Sequence, residues 1–271
     1  MLHLDDASWH LPAYQVIFTR QISQDFCVVI PVLNEGSRIV NQLRQMMALG
    51  LDKIVDIFIA DGGSTDGSTA PAILTELGVH TLLVKQGPGK LGAQLRMAYG
   101  HCLRAGYRGI VTIDGNNKDG VEAIPAFLTA LSTGSDFVQG SRFIAGGKAI
   151  RTPWSRWWAI RLIHAPLLGW ASGFNWTDTT SGFRGYSRRL LLDPRVAPFR
   201  DVFSSYELLF HLSAKAPQLG FSCQELPVSR AYPATGKVPT KISPLRGNLG
   251  VLWALWRTIR GDFNPAVTDV T

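Results

Sequence analysis

Between residues 26 and 140 the chain alternates nearly unbroken apolar runs with segments whose apolar positions recur every three or four residues. Phe26-Cys27-Val28-Val29-Ile30-Pro31-Val32 is apolar throughout, the pattern of a strand buried on both faces. Residues 36–49 follow with Ile39, Val40, Leu43, Met46 and Met47 at helical spacing, and Gly50 stops the helix. The same reading predicts strands at 54–60, 79–84, 109–113 and 136–140, and helices at 68–77, 91–105 and 121–131. Strands alternating with helices form β-α-β units around a mostly parallel sheet, with ligands expected beyond the carboxyl ends of the strands.

The alternation fades after Ser141. Residues 142–153, with Arg142, Lys148 and Arg151 between glycines, read as a mobile basic loop. Residues 154–170 read as an aromatic helical hairpin, 183–186 and 222–227 as strands, and 206–214 as a helix. Lys237 to Lys241 forms a second basic loop, and 249–259 a final amphipathic helix. Residues ahead of Phe26 read as irregular apart from an edge strand at 14–19. The expected organisation is an N-terminal extension (1–25), one α/β domain (26–243), and a C-terminal amphipathic helix and tail (244–271).

Composition narrows this picture. A chain of 271 residues, 46% of them hydrophobic, buries a substantial core. Its formal charge of +7 suits nucleic acid, an anionic membrane surface or phosphorylated small molecules. No recognition helix, zinc knuckle or basic run interleaved with stacking aromatics is present, so nucleic acid is not an expected partner. Cys27, Cys102 and Cys223 form no metal-binding spacing, and a reducing compartment is expected. No signal peptide is evident, and the most apolar stretch, 162–176, is short and broken by His164, Pro166 and Gly169. A cytoplasmic protein is expected. Trp154, Trp157, Trp158 and Trp170 among Arg151, Arg156 and Arg161, with Trp253 and Trp256 beside Arg257 and Arg260, suit peripheral contact at the cytoplasmic face of a membrane, or helices packed over the sheet.

Candidate chemistry gathers at the predicted strand ends. Asp61 leads into Gly62-Gly63-Ser64-Thr65-Asp66-Gly67, where a carboxylate and backbone donors meet a base or ribose, or else cap an ordinary turn. Pro31, Asn34 and Glu35 end the first strand in the same layer, Glu35 holding nucleotide polar groups or facing solvent. Lys90 precedes a helix, a position unfavourable for a cation unless an anion is bound or water screens it. Asp114-Gly115-Asn116-Asn117-Lys118-Asp119 offers a carboxylate and a neutral oxygen to a hard divalent ion, or an Asx turn with Asp119 as a helix cap. Asp178 is a general-base candidate or a turn acid paired with Arg184. Glu207, Arg230, Lys237 and Lys241 add later charges. The six histidines show no ligand spacing.

Taken in order, Val29 to Glu35, Asp61 to Gly67, Gly89-Lys90, Ile113 to Asn116, Gly140 to Phe143 and Ser181 to Arg184 resemble the family 2 glycosyltransferases, and especially the branch near dolichyl- and polyprenyl-phosphate sugar transferases, over residues 26 to 243. The resemblance implies a GT-A fold, a Rossmann-like mostly parallel sheet flanked by helices. It implies inverting transfer of a hexose from a UDP- or GDP-sugar to a polyprenyl-phosphate, lipid-linked or saccharide acceptor, with Mg²⁺ or Mn²⁺. Pro31, Glu35 and Asp61 fall at the donor's nucleotide pocket, with Lys90 nearby, and Asp114 and Asn116 on the two acidic positions of the DxD motif. Arg142 falls where an arginine meets phosphates, and Arg230 and Lys241 near donor diphosphate and acceptor phosphate. Asp178 is the expected base for a hydroxyl acceptor. A lipid phosphate is already anionic and leaves Asp178 another role. Asn116 and Lys118 depart from the family pattern and weaken a divalent site. A sugar nucleotidyltransferase and a donor-binding scaffold without turnover are the rival readings.

Overall fold

The computed structural model describes residues 8–233 and 246–266, residues 246–249 as backbone only. Lys237 and Lys241 lie outside the described residues. In chain order the first half comprises β1 (Tyr14–Thr19), β2 (Phe26–Val32), α1 (Ser37–Ala48), β3 (Asp56–Asp61), α2 (Pro71–Glu76), β4 (Thr81–Lys85), α3 (Leu91–Ala105), β5 (Gly109–Thr112), α4 (Ile124–Ser132) and β6 (Phe137–Ser141). The remainder comprises β7 (Lys148–Ile150), α5 (Trp154–Ala159), α6 (Ala165–Ser172), β8 (Arg184–Ser187), α7 (Arg188–Leu192), α8 (Glu207–Gln218), β9 (Cys223–Pro227), β10 (Ser229–Ala231) and α9 (Arg246–Arg260).

The main sheet has the order β1-β4-β3-β2-β5-β8-β6-β9. Only β1 and β8 run against the other strands. Both faces are covered, which is why β2 and β3 are apolar at successive positions. Along β2, Cys27 and Val29 join one core while Val28, Ile30 and Val32 join the other. Phe58 and Ala60 of β3 divide from Ile57 and Ile59 in the same way. The β1 strand is tied to the sheet beyond its pairing. Buried Asp56 accepts hydrogen bonds from Ser23 N (3.1 Å) and Tyr107 Oη (2.6 Å), so residues just ahead of β2 are anchored by an acid at the start of β3.

Several local expectations change. Helix α2 begins at Pro71 rather than Ser68, because Ser68 bonds Asp66 instead and Pro71 occupies the first turn. The expected hairpin at 154–170 is one helical rod. Pro166 lacks the N–H that would continue the ladder, and the rod passes this point through a π-helical turn, Ile160–His164, between α5 and α6. The expected mobile loop at 142–153 contains β7, which pairs in parallel with β10. Strand β8 enters the sheet between β5 and β6, antiparallel to both. Among the described residues no helix is long and apolar enough to cross a membrane.

The core carries an acid-sensitive group. His211 of α8 is fully buried and donates Nε2–H to Val196 O at 2.7 Å, and burial pushes its imidazole down to about 3. In the unfolded chain the same ring takes a proton near pH 6.5. Stability contributed by the neutral ring is intact above that value and falls as the pH drops toward 3, by at most about 1.4 kcal/mol per pH unit. Urea unfolding at pH 7.5 and pH 5 is therefore expected to show a loss on acidification that is smaller in His211→Gln.

Candidate functional site

The carboxyl ends of β2, β3, β5 and β6 open on one side of the sheet, where the loops that follow them are bound together. Asn34 Oδ1 accepts from Thr65 N (2.8 Å), Ser64 Oγ lies 3.0 Å from Asn34 N, and Asp66 Oδ2 accepts from Gly36 N at 2.8 Å. The Ser68 hydroxyl on Asp66 holds its carboxyl below the usual range. Gln94, buried on α3, donates to Val32 O at 2.9 Å and to Ala60 O, tying the two strand ends to a helix.

Asp61 is 3% exposed and fully engaged within its own loop. Oδ1 accepts from Gly63 N (3.0 Å), Ser64 N (2.8 Å) and Ser64 Oγ (2.7 Å), and Oδ2 accepts from Thr69 Oγ1 (2.8 Å). The carboxylate thus shapes the loop that follows β3. Glu35 pairs with Arg38 at 2.8 Å, Pro31 is half-buried, and Lys90 is exposed at the cap of α3, its N–H on Ser204 O.

Arg230 on β10 lies in the centre of the site. Its guanidinium bonds Asp119 through Nη1 and Asp114 Oδ2 through Nη2 (3.1 Å). Burial opposes the charge, but these two carboxylates more than offset it and hold Arg230 protonated. Strand β10 is drawn in by the backbone as well, with Ala231 N on Lys118 O and Gly120 N on Ser229 O. Tyr232 follows. Lys118 Nζ lies 5.4 Å from its ring centre, and the Arg156 and Arg230 guanidinium carbons at 5.8 and 6.0 Å. Arg156 also donates to Tyr232 Oη at 2.9 Å. Burial raises the phenol, yet Arg230 and Arg156 outweigh it and leave Tyr232 below its ordinary value. Burial next to Arg230 lowers Lys118. At the other edge a Cβ on Gly182 would strike the Asp114 carboxylate, so only glycine admits the 181–183 turn there.

Arg142, directly after β6, and Asp178, before β8, form a bidentate pair, Nε–Oδ2 2.6 Å and Nη2–Oδ1 2.9 Å, with both side chains buried. The partner of Asp178 is therefore Arg142 and not Arg184. Arg184 instead donates to the Thr179, Ser181 and Leu209 carbonyls and to Ser213 Oγ. Glu225 on β9 holds residues 177–178, accepting from Thr177 N (2.9 Å), Thr177 Oγ1 (2.7 Å) and Asp178 N (3.2 Å), and its burial raises its carboxyl. Glu207 accepts from Ser205 N at the start of α8 and serves that helix end.

The chain matches the family described as "Glycosyl transferase family 2" over residues 27–193. It belongs to glycosyl transferase family 2. The glycosyltransferase is 27% identical to the polyprenol monophosphomannose synthase of Mycolicibacterium smegmatis over 76% of this chain and 77% of the relative. It is also 27% identical to the dolichyl-phosphate hexose transferase of Haloferax volcanii, over 86% and 93%. The fold is shared with glucosyl-3-phosphoglycerate synthase of Mycobacterium tuberculosis, solved in complex with Mn²⁺, UDP and glucosyl-3-phosphoglycerate (TM-score 0.59, 18% identity, 89% of this chain and 81% of that one). Mannosyl-3-phosphoglycerate synthase of Rubrobacter xylanophilus shares it too (TM-score 0.59, 14% identity, 89% and 76%). The protein is thus a nucleotide-sugar-dependent glycosyltransferase with the GT-A fold.

Of the expected site residues, the fold brings Asp114, Asn116 and Arg230 into one cluster and pairs Arg142 with Asp178. Asp119, Tyr232, Arg156, Gln94 and Glu225 belong to the same construction and were not anticipated. Asp119 does not cap a helix but holds Arg230. The donor set for the expected Mg²⁺ or Mn²⁺ is thin. Asn116 Nδ2 approaches Asp114 Oδ2 at 3.3 Å, and Arg230 already occupies that oxygen. Asn116 Oδ1 and Asp119 Oδ1 accept no hydrogen bond among the described residues, but one is neutral and the other belongs to a carboxylate on the guanidinium. No three His, Cys, Asp or Glu side chains gather into a metal-holding group among the described residues. Hard divalent ions favour several anionic oxygens, and this set does not fit one.

Replacing Asp178 by Asn leaves Arg142 buried without its counter-charge. The expected loss is about 3–5 kcal/mol of folding free energy, read by urea unfolding.

Proposed function

We propose that this glycosyltransferase moves a hexose with inversion from a UDP- or GDP-sugar to a phosphate-bearing acceptor, and that the acceptor is a polyprenyl phosphate. The observation that carries the reading is the grouping of Arg230, Lys118 and Arg156 on one phenol ring beyond the strand ends, beside Arg142. Such a concentration of positive charge suits a substrate pair that brings phosphate from both sides. The nucleotide sits over the 34–36 and 61–68 loops, whose shape Asp61 and Asp66 hold. Its diphosphate faces the cations, which stabilise the charge that develops as the glycosidic bond breaks.

A phosphate oxygen is already an anionic nucleophile and needs no base. That fits the state of Asp178, whose carboxylate is taken up by Arg142. Asp178 then positions Arg142 rather than removing a proton. The curated relatives named for polyprenol and dolichyl phosphates favour a lipid phosphate over a small phosphorylated acid.

The outer surface supports the same acceptor. Trp154 and Trp170 on the α5–α6 rod are 73% and 79% exposed, and Leu162 and Leu167 lie between them in sequence, also exposed. Helix α6 packs against α9, whose Trp253 and Trp256 are exposed in turn. Exposed tryptophans among arginines suit an anionic bilayer surface at the cytoplasmic face of a membrane.

A panel of UDP- and GDP-sugars offered with polyprenyl phosphate is expected to release nucleoside diphosphate and yield a lipid-linked hexose. Release of pyrophosphate would identify a nucleotidyltransferase, and donor binding without turnover on any acceptor a scaffold. Flotation with vesicles containing phosphatidylglycerol is expected to carry the protein upward, and Trp154→Ser with Trp170→Ser to leave it at the bottom. Wild-type protein that stays down would count against the bilayer surface.

A further inference from the structure

We infer that the protein's own cations, Arg230 and Lys118, take the place of a divalent ion at the donor diphosphate, so that nucleotide binding and sugar transfer proceed without metal. The inference rests on the proposed nucleotide-sugar reading and goes beyond it in naming what neutralises the leaving group.

Charge and geometry both point this way. A divalent ion is held more weakly where one member of the Asp114–Asn116 pair is an amide rather than an acid. The carboxylate that would restore the lost charge, Asp119, faces the guanidinium of Arg230 instead. Arg230 reaches across to Asp114 Oδ2 at 3.1 Å, so a fixed positive charge already borders the oxygen a metal would use.

Arg230 is not a loose side chain that an ion could displace. It is 7% exposed, its strand pairs with β7 on one side and bonds to residues 118 and 120 on the other. Releasing it would leave Asp119 buried as an unpaired carboxylate, a far greater cost than leaving a metal unbound. Lys118, two residues beyond Asn116, stands over Tyr232 and is itself 7% exposed, so its ammonium is held in place by packing. Arg156 adds a third cation on the same ring through Tyr232 Oη. The guanidinium of Arg230 and the ammonium of Lys118 disfavour a free divalent cation beside them and suit a diphosphate, whose oxygens accept from a guanidinium fork and an ammonium.

Titration of the protein with UDP and with GDP by calorimetry, in EDTA and again in excess Mn²⁺, tests this directly. Manganese paramagnetic resonance in the presence of the same nucleotides reports any ion held by the protein. The expected result is a nucleotide that binds with closely similar Kd in EDTA and in Mn²⁺, with no protein-bound manganese beyond what the nucleotide alone chelates. Lys118→Met is expected to weaken nucleotide binding in EDTA about tenfold, the loss of one charge-assisted contact. Asn116→Asp combined with Lys118→Met is expected to make a manganese signal appear. Binding that vanishes in EDTA and returns with Mn²⁺ overturns the inference while leaving the glycosyltransferase reading intact. Failure of both nucleotides to bind under either condition overturns both.

Discussion

The guanidinium of Arg230, held between Asp114 and Asp119, is the contact on which the arrangement of the site depends. It joins a loop that ends a central parallel strand to a short strand that follows β9. Burial makes each charge costly alone, so the three groups are stable only together. The consequence reaches outward. With Arg230 fixed, β10 is fixed, and β7 finds a partner. Residues 148–150 then become a strand, Arg151 Nε bonds Tyr232 O at 2.6 Å, and Arg156 reaches the Tyr232 hydroxyl. A segment rich in glycine and arginine gains a defined path from one buried ion cluster.

The sheet was legible from residues 26 to 140 because burial on both faces writes itself into consecutive apolar positions. Cys27 to Ile30 shows this most plainly, since neighbouring side chains enter opposite cores. Beyond Ser141 the structure depends on partners distant in sequence. Arg142 and Asp178 are separated by a helical rod, and no local pattern joins them. Strand β8 was expected, but its place between β5 and β6, antiparallel to both, was not, nor that Arg184 within it is buried by satisfying carbonyls at Thr179, Ser181 and Leu209. The hairpin expected at 154–170 is a single rod, because a π-helical turn absorbs the hydrogen bond that Pro166 cannot make.

The site was half legible for the same reason. Asp61, Asp114 and Asn116 follow apolar strands, and their position could be read from the strand ends. Their chemistry could not. Asp61 spends its acceptors on Gly63, Ser64 and Thr69, so its part in a nucleotide pocket is to set the backbone path rather than to stand open. Asp119 looked like a helix cap because Glu122 lies three residues on, yet its partner is 111 residues away. Glu225 carried a signal that was available: an acid inside a strand pattern must find donors, and it finds those of Thr177 and Asp178.

The Arg142 and Arg230 systems divide the work between them. Arg142 is matched by Asp178 in a bidentate pair, with Glu225 below and Thr180 Oγ1 at 3.0 Å from Nη2. That pair holds the loop after β6 to the segment at 178–180. The Arg230 system gathers Lys118, Arg156 and Arg230 on one aromatic ring. A buried pair supplies rigidity and a cluster of cations supplies field, and that field is what an incoming diphosphate would meet.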